Sequence, residues 1–369
     1  MKGNINCILI DNRENIKFWR LDLRRIVFLC MITALVIIGC AKASDPTDTT
    51  TEGVLNEVTR IPLNGDAIGI DYSDNYIAVA EYDAGISIIN RDTFERTWHT
   101  EIFGTEGSVF SLGRNRRINL VEELGFLLFT EEIEADSYRI VDINDIDTLR
   151  IVSSITGGTY AIRQIELYPY IDPNADEYFN YTGRGFFVNG FDISIVYFNS
   201  IDNQMYKDED ISWSYPARTY GAEQTDDYMF AAVGQRGIFV SDRYSYNNLT
   251  EFDTPGEALR IEVHGNYLYV ACRQAGLYVY DVSDIYNPVE VYNYDTTGYA
   301  QNLDVNDNYC VLASGGGNLY VFDVSNPENI QFLERETSTG YTNNVKIDEN
   351  NRVYVATRDE GLVIYDIKR

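Results

Sequence analysis

The segment Gly256-Glu-Ala-Leu-Arg-Ile returns as Gly298-Tyr-Ala-Gln-Asn-Leu and again as Gly340-Tyr-Thr-Asn-Asn-Val, each time 42 residues further on. A unit of about 40 to 45 residues with several short strands cannot bury both faces of its own sheet; it does so against copies of itself arranged in a ring, the plan of a β-propeller. In the fifth unit the strand signals fall at 259–263, 266–271, 276–282 and 288–294. The second of these recurs at 75–80, 227–232, 308–313 and 352–356, and the third at 85–89, 138–143, 193–197, 237–242, 318–324 and 361–367, which makes seven units. Apolar residues occupy both parities of the second strand, as expected where neighbouring blades cover both faces.

The period breaks twice. Residues 108–117 are inserted before the first strand of the second unit, and the third unit carries extra residues near 168–185. The last unit stops after its third strand, whereas 54–63 reads as a fourth strand with no unit ahead of it. Pairing the two removes two exposed sheet edges. The expectation is an all-β chain: a seven-bladed β-propeller of four-stranded antiparallel blades, the last blade closed by the N-terminal strand.

Ahead of the repeats, Arg24-Arg25 precede an apolar run, 26–38, that ends in Gly39-Cys40 and passes into polar sequence. The run is shorter than the roughly 20 residues of a membrane span and reads as an export signal. It resembles a bacterial lipoprotein signal, which implies lipidation of Cys40, export, and anchoring at the outer membrane or cell surface. The chain then divides into a signal peptide, 1–40, a polar tether, 41–53, and the propeller, 54–369. Six basic and three acidic residues lie in 1–40, leaving 23 and 54 and a net charge of −31. A surface so acidic repels nucleic acid, so no nucleic-acid partner is expected. Cys272 and Cys310 sit on the same side of successive blades and four residues out of register, too far apart to bridge, and are expected as free, buried thiols.

The runs Gly276-Leu-Tyr-Val-Tyr-Asp-Val-Ser-Asp-Ile-Tyr-Asn-Pro and Asn318-Leu-Tyr-Val-Phe-Asp-Val-Ser-Asn-Pro resemble the LVIVD-repeat family of surface propellers. The resemblance covers 54–369, strongest in units one, five, six and seven and weak in two and three. It implies a propeller fold and an extracytoplasmic location, and no common reaction.

Two histidines, His99 and His264, remain after the leader, too few for a zinc or histidine-based catalytic set. Asp172, Asn174 and Asp176 have the alternate-oxygen spacing of a calcium loop, but Glu177 stands where such a loop needs glycine and Gly183 where it needs an acid, so the calcium signal is weak and no other cofactor is indicated. Arginine placement says more. The loops from fourth to first strand and from second to third share one propeller face. There the sequence places Arg114, Arg116, Arg117, Arg163, Arg218, Arg236, Arg260, Arg273 and Arg358, with Asn302 and Asn344 at the site of Arg260 in the next two units. Such a ring can hold a carboxylate, sulfate or phosphate by forked hydrogen bonds; alternatively the arginines pair with acids such as Glu81, Asp83, Asp359 and Glu360. Tyr160, Tyr220, Tyr299 and Tyr341 lie beside the same loops. The reading is a non-catalytic surface propeller that binds a protein or an anionic glycan. The alternative is a lyase or hydrolase of acidic polysaccharide, with arginine neutralising a carboxylate and tyrosine moving the proton.

Overall fold

The computed structural model describes residues 5–7, 19–21, 53–133, 135–156, 162–176, 178, 180–316 and 318–368. The expected lipidation site Cys40, the expected tether up to Glu52 and Tyr160 lie outside them. The chain divides into two units, Met1–Glu52 and Gly53–Arg369. In the first, Ile5–Cys7 pairs antiparallel with Trp19–Leu21.

The second unit is the propeller. Its seven antiparallel blades begin with the strands Gly69–Tyr72, Asn115–Val121, Ile162–Pro169, Gly221–Gln224, Arg260–His264, Asn302–Val305 and Thr342–Ile347. In the seventh blade the fourth place is taken by Leu55–Ile61, which pairs with Leu362–Ile367 from Leu55 opposite Ile367 to Ile61 opposite Leu362. The ring is therefore closed by the N-terminal strand.

The alternation of the strands explains why a ring forms. In the second strand of the fifth blade, Leu268 and Val270 pack toward the fourth blade while Tyr269 and Ala271 pack toward the sixth. All four are fully buried. Successive side chains of a strand point to opposite faces, so each such strand feeds two wedges of core. Seven apolar clusters result, one at each blade interface, and each fully buried Leu, Val or Ile contributes about 1.5–3 kcal/mol. Cys272 and Cys310 sit in two successive wedges as free, buried thiols.

The repeated turn ahead of the third strand has a steric cause. Gly85, Gly237, Gly276 and Gly361 all have positive φ, and a Cβ at any of them would fall on a carbonyl oxygen of the adjoining fourth strand. After the third strand, the Asp-Val-Ser of the repeat makes an Asx turn: the Asp281 carboxylate accepts the Ser283 amide at 2.9 Å and Asp323 that of Ser325 at 3.0 Å.

Both breaks in the period have a structural form. The third blade uses its extra residues to lengthen the hairpin between Ile162–Pro169 and Tyr181–Asn189. The second blade has six strands, because a hairpin of Glu101–Phe103 and Val109–Ser111 adds to its outer edge, with Phe103 opposite Arg150 in parallel.

Candidate functional site

The first strand of every blade faces the axis, and its sequence sets what lines the channel. These strands read Gly69-Ile-Asp71, Arg117-Ile-Asn119, Gln164-Ile-Glu166, Gly221-Ala-Glu223, Arg260-Ile-Glu262, Asn302-Leu-Asp304 and Asn344-Val-Lys346. The central aliphatic residue is buried in a wedge each time. Its two neighbours, on the opposite face of the strand, therefore form two stacked rings around the channel.

The upper ring holds Gly69, Arg117, Gln164, Gly221, Arg260, Asn302 and Asn344. Arg260 crosses from the fifth blade to the third, donating to Gln164 Oε1 at 2.5 Å and to the Arg163 carbonyl at 2.8 Å. Gln164 in turn accepts the Ala222 amide and donates to the Ala222 carbonyl, both at 2.9 Å, spanning the gap to the fourth blade. Glycine is needed at 221 because a Cβ there would lie 2.8 Å from the Leu259 carbonyl and 3.3 Å from Arg260. Asn344 accepts its neighbour's amide from Val345 at 2.8 Å.

The expected arginines separate into two groups. Arg114 lies 3.8 Å from Asp83, Arg116 2.6 Å from Glu132, Arg236 3.2 Å from Glu251 and Arg358 3.9 Å from Asp66, and Arg273 pairs with Glu257. Of the acids singled out in the sequence only Asp83 serves one of these arginines; Glu81 pairs with Arg96 and Glu360 with Arg60. The inner arginines, Arg117, Arg163 and Arg260, and the exposed Arg218 have no carboxylate within ion-pair distance among the described residues. Burial, and then the charges of Arg260, Arg163 and Arg116, push the Arg117 guanidinium well below its ordinary pKa. Arg163 is lowered as well, by burial and by Arg218. Arg117 Nε, Arg163 Nε and the Asn302 Oδ1 acceptor are all shielded from solvent without a hydrogen-bond partner. Tyrosines frame this mouth: Arg116 lies over Tyr82, Arg163 over Tyr220, Arg273 over Tyr299 and Arg358 over Tyr341, with 4.0–5.7 Å from guanidinium to ring centroid.

The lower ring, Asp71, Asn119, Glu166, Glu223, Glu262, Asp304 and Lys346, escaped the sequence reading. Its shorter members brace the blades: Asp71 accepts the Leu120 amide at 2.7 Å, Asn119 the Leu167 amide at 3.0 Å and Asp304 the Ile347 amide at 2.8 Å. The three glutamates, one methylene longer, occupy adjacent blades and take no such backbone bond. Burial pushes Glu166 up to about 7 and raises Glu223 and Glu262, which also repel each other. Lys346, 3.4 Å from Asp304, is held charged chiefly by that carboxylate. The signal was present in the sequence: an acid, an asparagine or a lysine two residues after each upper-ring position.

Between the rings the channel narrows to about 50 Å³. Beyond the lower ring it opens into a cavity of about 620 Å³ with an acidic lining, including Asp74, Asp307 and Glu349. His264 lines it too, 3.0 Å from Asp307. The calcium-spaced residues lie in the loop between the first two strands of the third blade and are not among the residues lining either space. The Asp172 carboxylate accepts the Asn174 and Tyr181 amides and Asp176 that of Tyr178, and no group of three or more metal-ligating His, Cys, Asp or Glu occurs among the described residues.

The family model of the LVIVD repeat matches residues 255–296, 297–335 and 339–367, the fifth, sixth and seventh blades. The first blade, which resembles them in sequence, turns after its third strand on Asn90 rather than on Asp-Val-Ser. No curated protein sequence matches the chain. Among solved structures, the β-propeller domain of Myceliophteria thermophila Cps50 (Swd1) is similar with a TM-score of 0.63 at 8% identity, over 85% of this chain and 100% of that one. The computationally designed Ika8 protein gives 0.56 at 11% identity, over 84% and 99%. At these identities the likeness shows the fold alone.

Proposed function

We propose that this LVIVD-repeat propeller is a non-catalytic binding scaffold at a bacterial surface, lipid-anchored through Cys40, which receives an anionic glycan at its arginine-bearing mouth. One observation carries the reading. In a chain with 57 acidic and 29 basic residues, Arg117, Arg163 and Arg260 converge with no carboxylate within ion-pair distance among the described residues. These half-buried guanidiniums repel one another, and an anionic ligand relieves that repulsion on binding. The rim of arginine-stacked tyrosines presents ring faces to a sugar, whereas protein partners favour larger apolar surfaces.

The lyase alternative requires a tyrosine whose pKa is lowered by an adjacent arginine. Among the described residues every tyrosine with a shifted pKa is pushed the other way, Tyr168 near the lower ring among them, with Glu166 and Glu223 beside it.

A glycan array probed with the purified protein is expected to select acidic glycans, and binding that survives Arg117, Arg163 and Arg260 all changed to Ala would remove the named site. Cys40→Ser is expected to release the protein from the membrane fraction. Retention of that variant would count against the anchor.

A further inference from the structure

The upper ring offers a ligand more than positive charge. Arg117 Nε is a donor without an acceptor, and Asn302 Oδ1 is an acceptor without a donor. They belong to the second and sixth blades, on different sides of the axis, with Arg260 and Asn344 also lining the space. A bare sulfate satisfies only the donors. A carboxylate with a hydroxyl one or two carbons away satisfies both, its charge on Arg117 and Arg260 and its hydroxyl proton on Asn302.

Size restricts how such a group arrives. A water needs roughly 10–15 Å³ of comparable volume, so about 50 Å³ admits a carboxylate and its neighbouring carbon, not a sugar ring. Below, Asp71, Glu166, Glu262 and Lys346 line the same space, and Arg260 bridging to Gln164 narrows it from the side. An internal residue of a polysaccharide, flanked by rings on both sides, cannot lower its acid into this throat. A chain end can.

We propose that the channel mouth is an end-on site for a terminal hydroxycarboxylate, whether a free sugar acid or the last acidic residue of a glycan. The inference rests on the anion-binding reading above and adds the identity and presentation of the inserted group. Arg117 and Arg260 clamp the carboxylate, Asn302 reads the hydroxyl, and the rest of the ligand lies on the face among Tyr220, Tyr299 and Tyr341.

Isothermal titration of the purified full chain with glucuronate, hexanoate, glucose and sulfate tests it, alongside short and long uronate oligomers. Glucuronate is expected to bind at least about tenfold more tightly than hexanoate or sulfate, and glucose not to bind. Uronate oligomers should bind in proportion to chain ends, not to mass. Asn302→Leu should bring glucuronate and hexanoate together, and Arg117→Lys, which keeps the charge, should weaken both. Equal binding of sulfate, hexanoate and glucuronate would overturn the proposal, as would uronate polymer binding that scales with mass or survives Arg117→Ala and Arg260→Ala; in those last cases a surface-binding scaffold stands without the end-on site. Failure of every anion and every acidic glycan would overturn the functional reading as well.

Discussion

Arg117 and Arg260 carry the same charge in the same ring, yet replacing each by methionine should move stability in opposite directions. Arg117 Nε is shielded with no partner, and neighbouring arginines repel its charge. A buried donor left unsatisfied costs about 1–3 kcal/mol, so methionine, which keeps an unbranched stem of similar length, should stabilise the ligand-free protein by about 1–2 kcal/mol. Arg260 spends two hydrogen bonds on Gln164 and the Arg163 carbonyl. Bonds to a charged group are worth about 1.5–3 kcal/mol each, which exceeds the relief of repulsion, so Arg260→Met should destabilise by about 1–2 kcal/mol. Unfolding entropy of about 2.1 cal/mol/K per residue gives a domain of about 300 residues roughly 0.6 kcal/mol per degree, and the Tm should rise by about 2–3 °C for Arg117→Met and fall by as much for Arg260→Met. Scanning calorimetry at pH 7.4 in physiological salt reads both. If Arg117→Met melts below the wild type, the unpartnered charge is not the liability described, and the argument from it to a ligand fails.

Three further outcomes follow from the fold. Deleting the chain ahead of Gly65 removes the closing strand and the buried Ile61, and should lower the Tm by at least about 5 °C, whereas an unchanged Tm would mean the ring closes otherwise. Glu166 has a folded pKa of about 7, above the 4.5 expected unfolded, so the stability it contributes is full below pH 4.5 and lost as pH rises through 7. Melts from pH 4.5 to 8 should show a decline that Glu166→Gln flattens, and a parallel curve in that variant would refute the assignment. Gly276→Ala forces a Cβ onto the Tyr294 carbonyl at φ +87°, and its urea midpoint should report a loss of at least about 2 kcal/mol; Gly265→Ala, also at positive φ but facing open space, should cost less.

The repeat was legible because one physical demand, burial on both faces, is imposed on the same strand seven times. The closing strand was legible because it was left over. The hairpin on the second blade was not, since its attachment is a single register pair, Phe103 with Arg150, between segments with no local signal linking them. The arginine face could be read from loop positions, but not the division within it. A partner can come from another blade, as with Arg260 and Gln164, which lie 96 residues apart in the chain. The lower ring was missed for a different reason: each first strand, taken singly, is a short segment in which polar and aliphatic residues alternate, with nothing to show which polar side faces an axis. Its meaning emerges only when Asp71, Glu166, Glu223, Glu262 and Asp304 are brought around one axis.

The closing strand also has a mechanical consequence. Leu55–Ile61 lies in series between whatever pulls on Gly53 and the remaining blades, and its hold consists of the pairs from Leu55–Ile367 to Ile61–Leu362, with the Leu55 amide bonded to Glu334 of the sixth blade at 2.8 Å. Tension peeling the strand outward loads these pairs one after another, beginning at Leu55 together with its bond to Glu334. A pull on Gly53 thereby enters the same blade that supplies Asn344 and Lys346 to the channel.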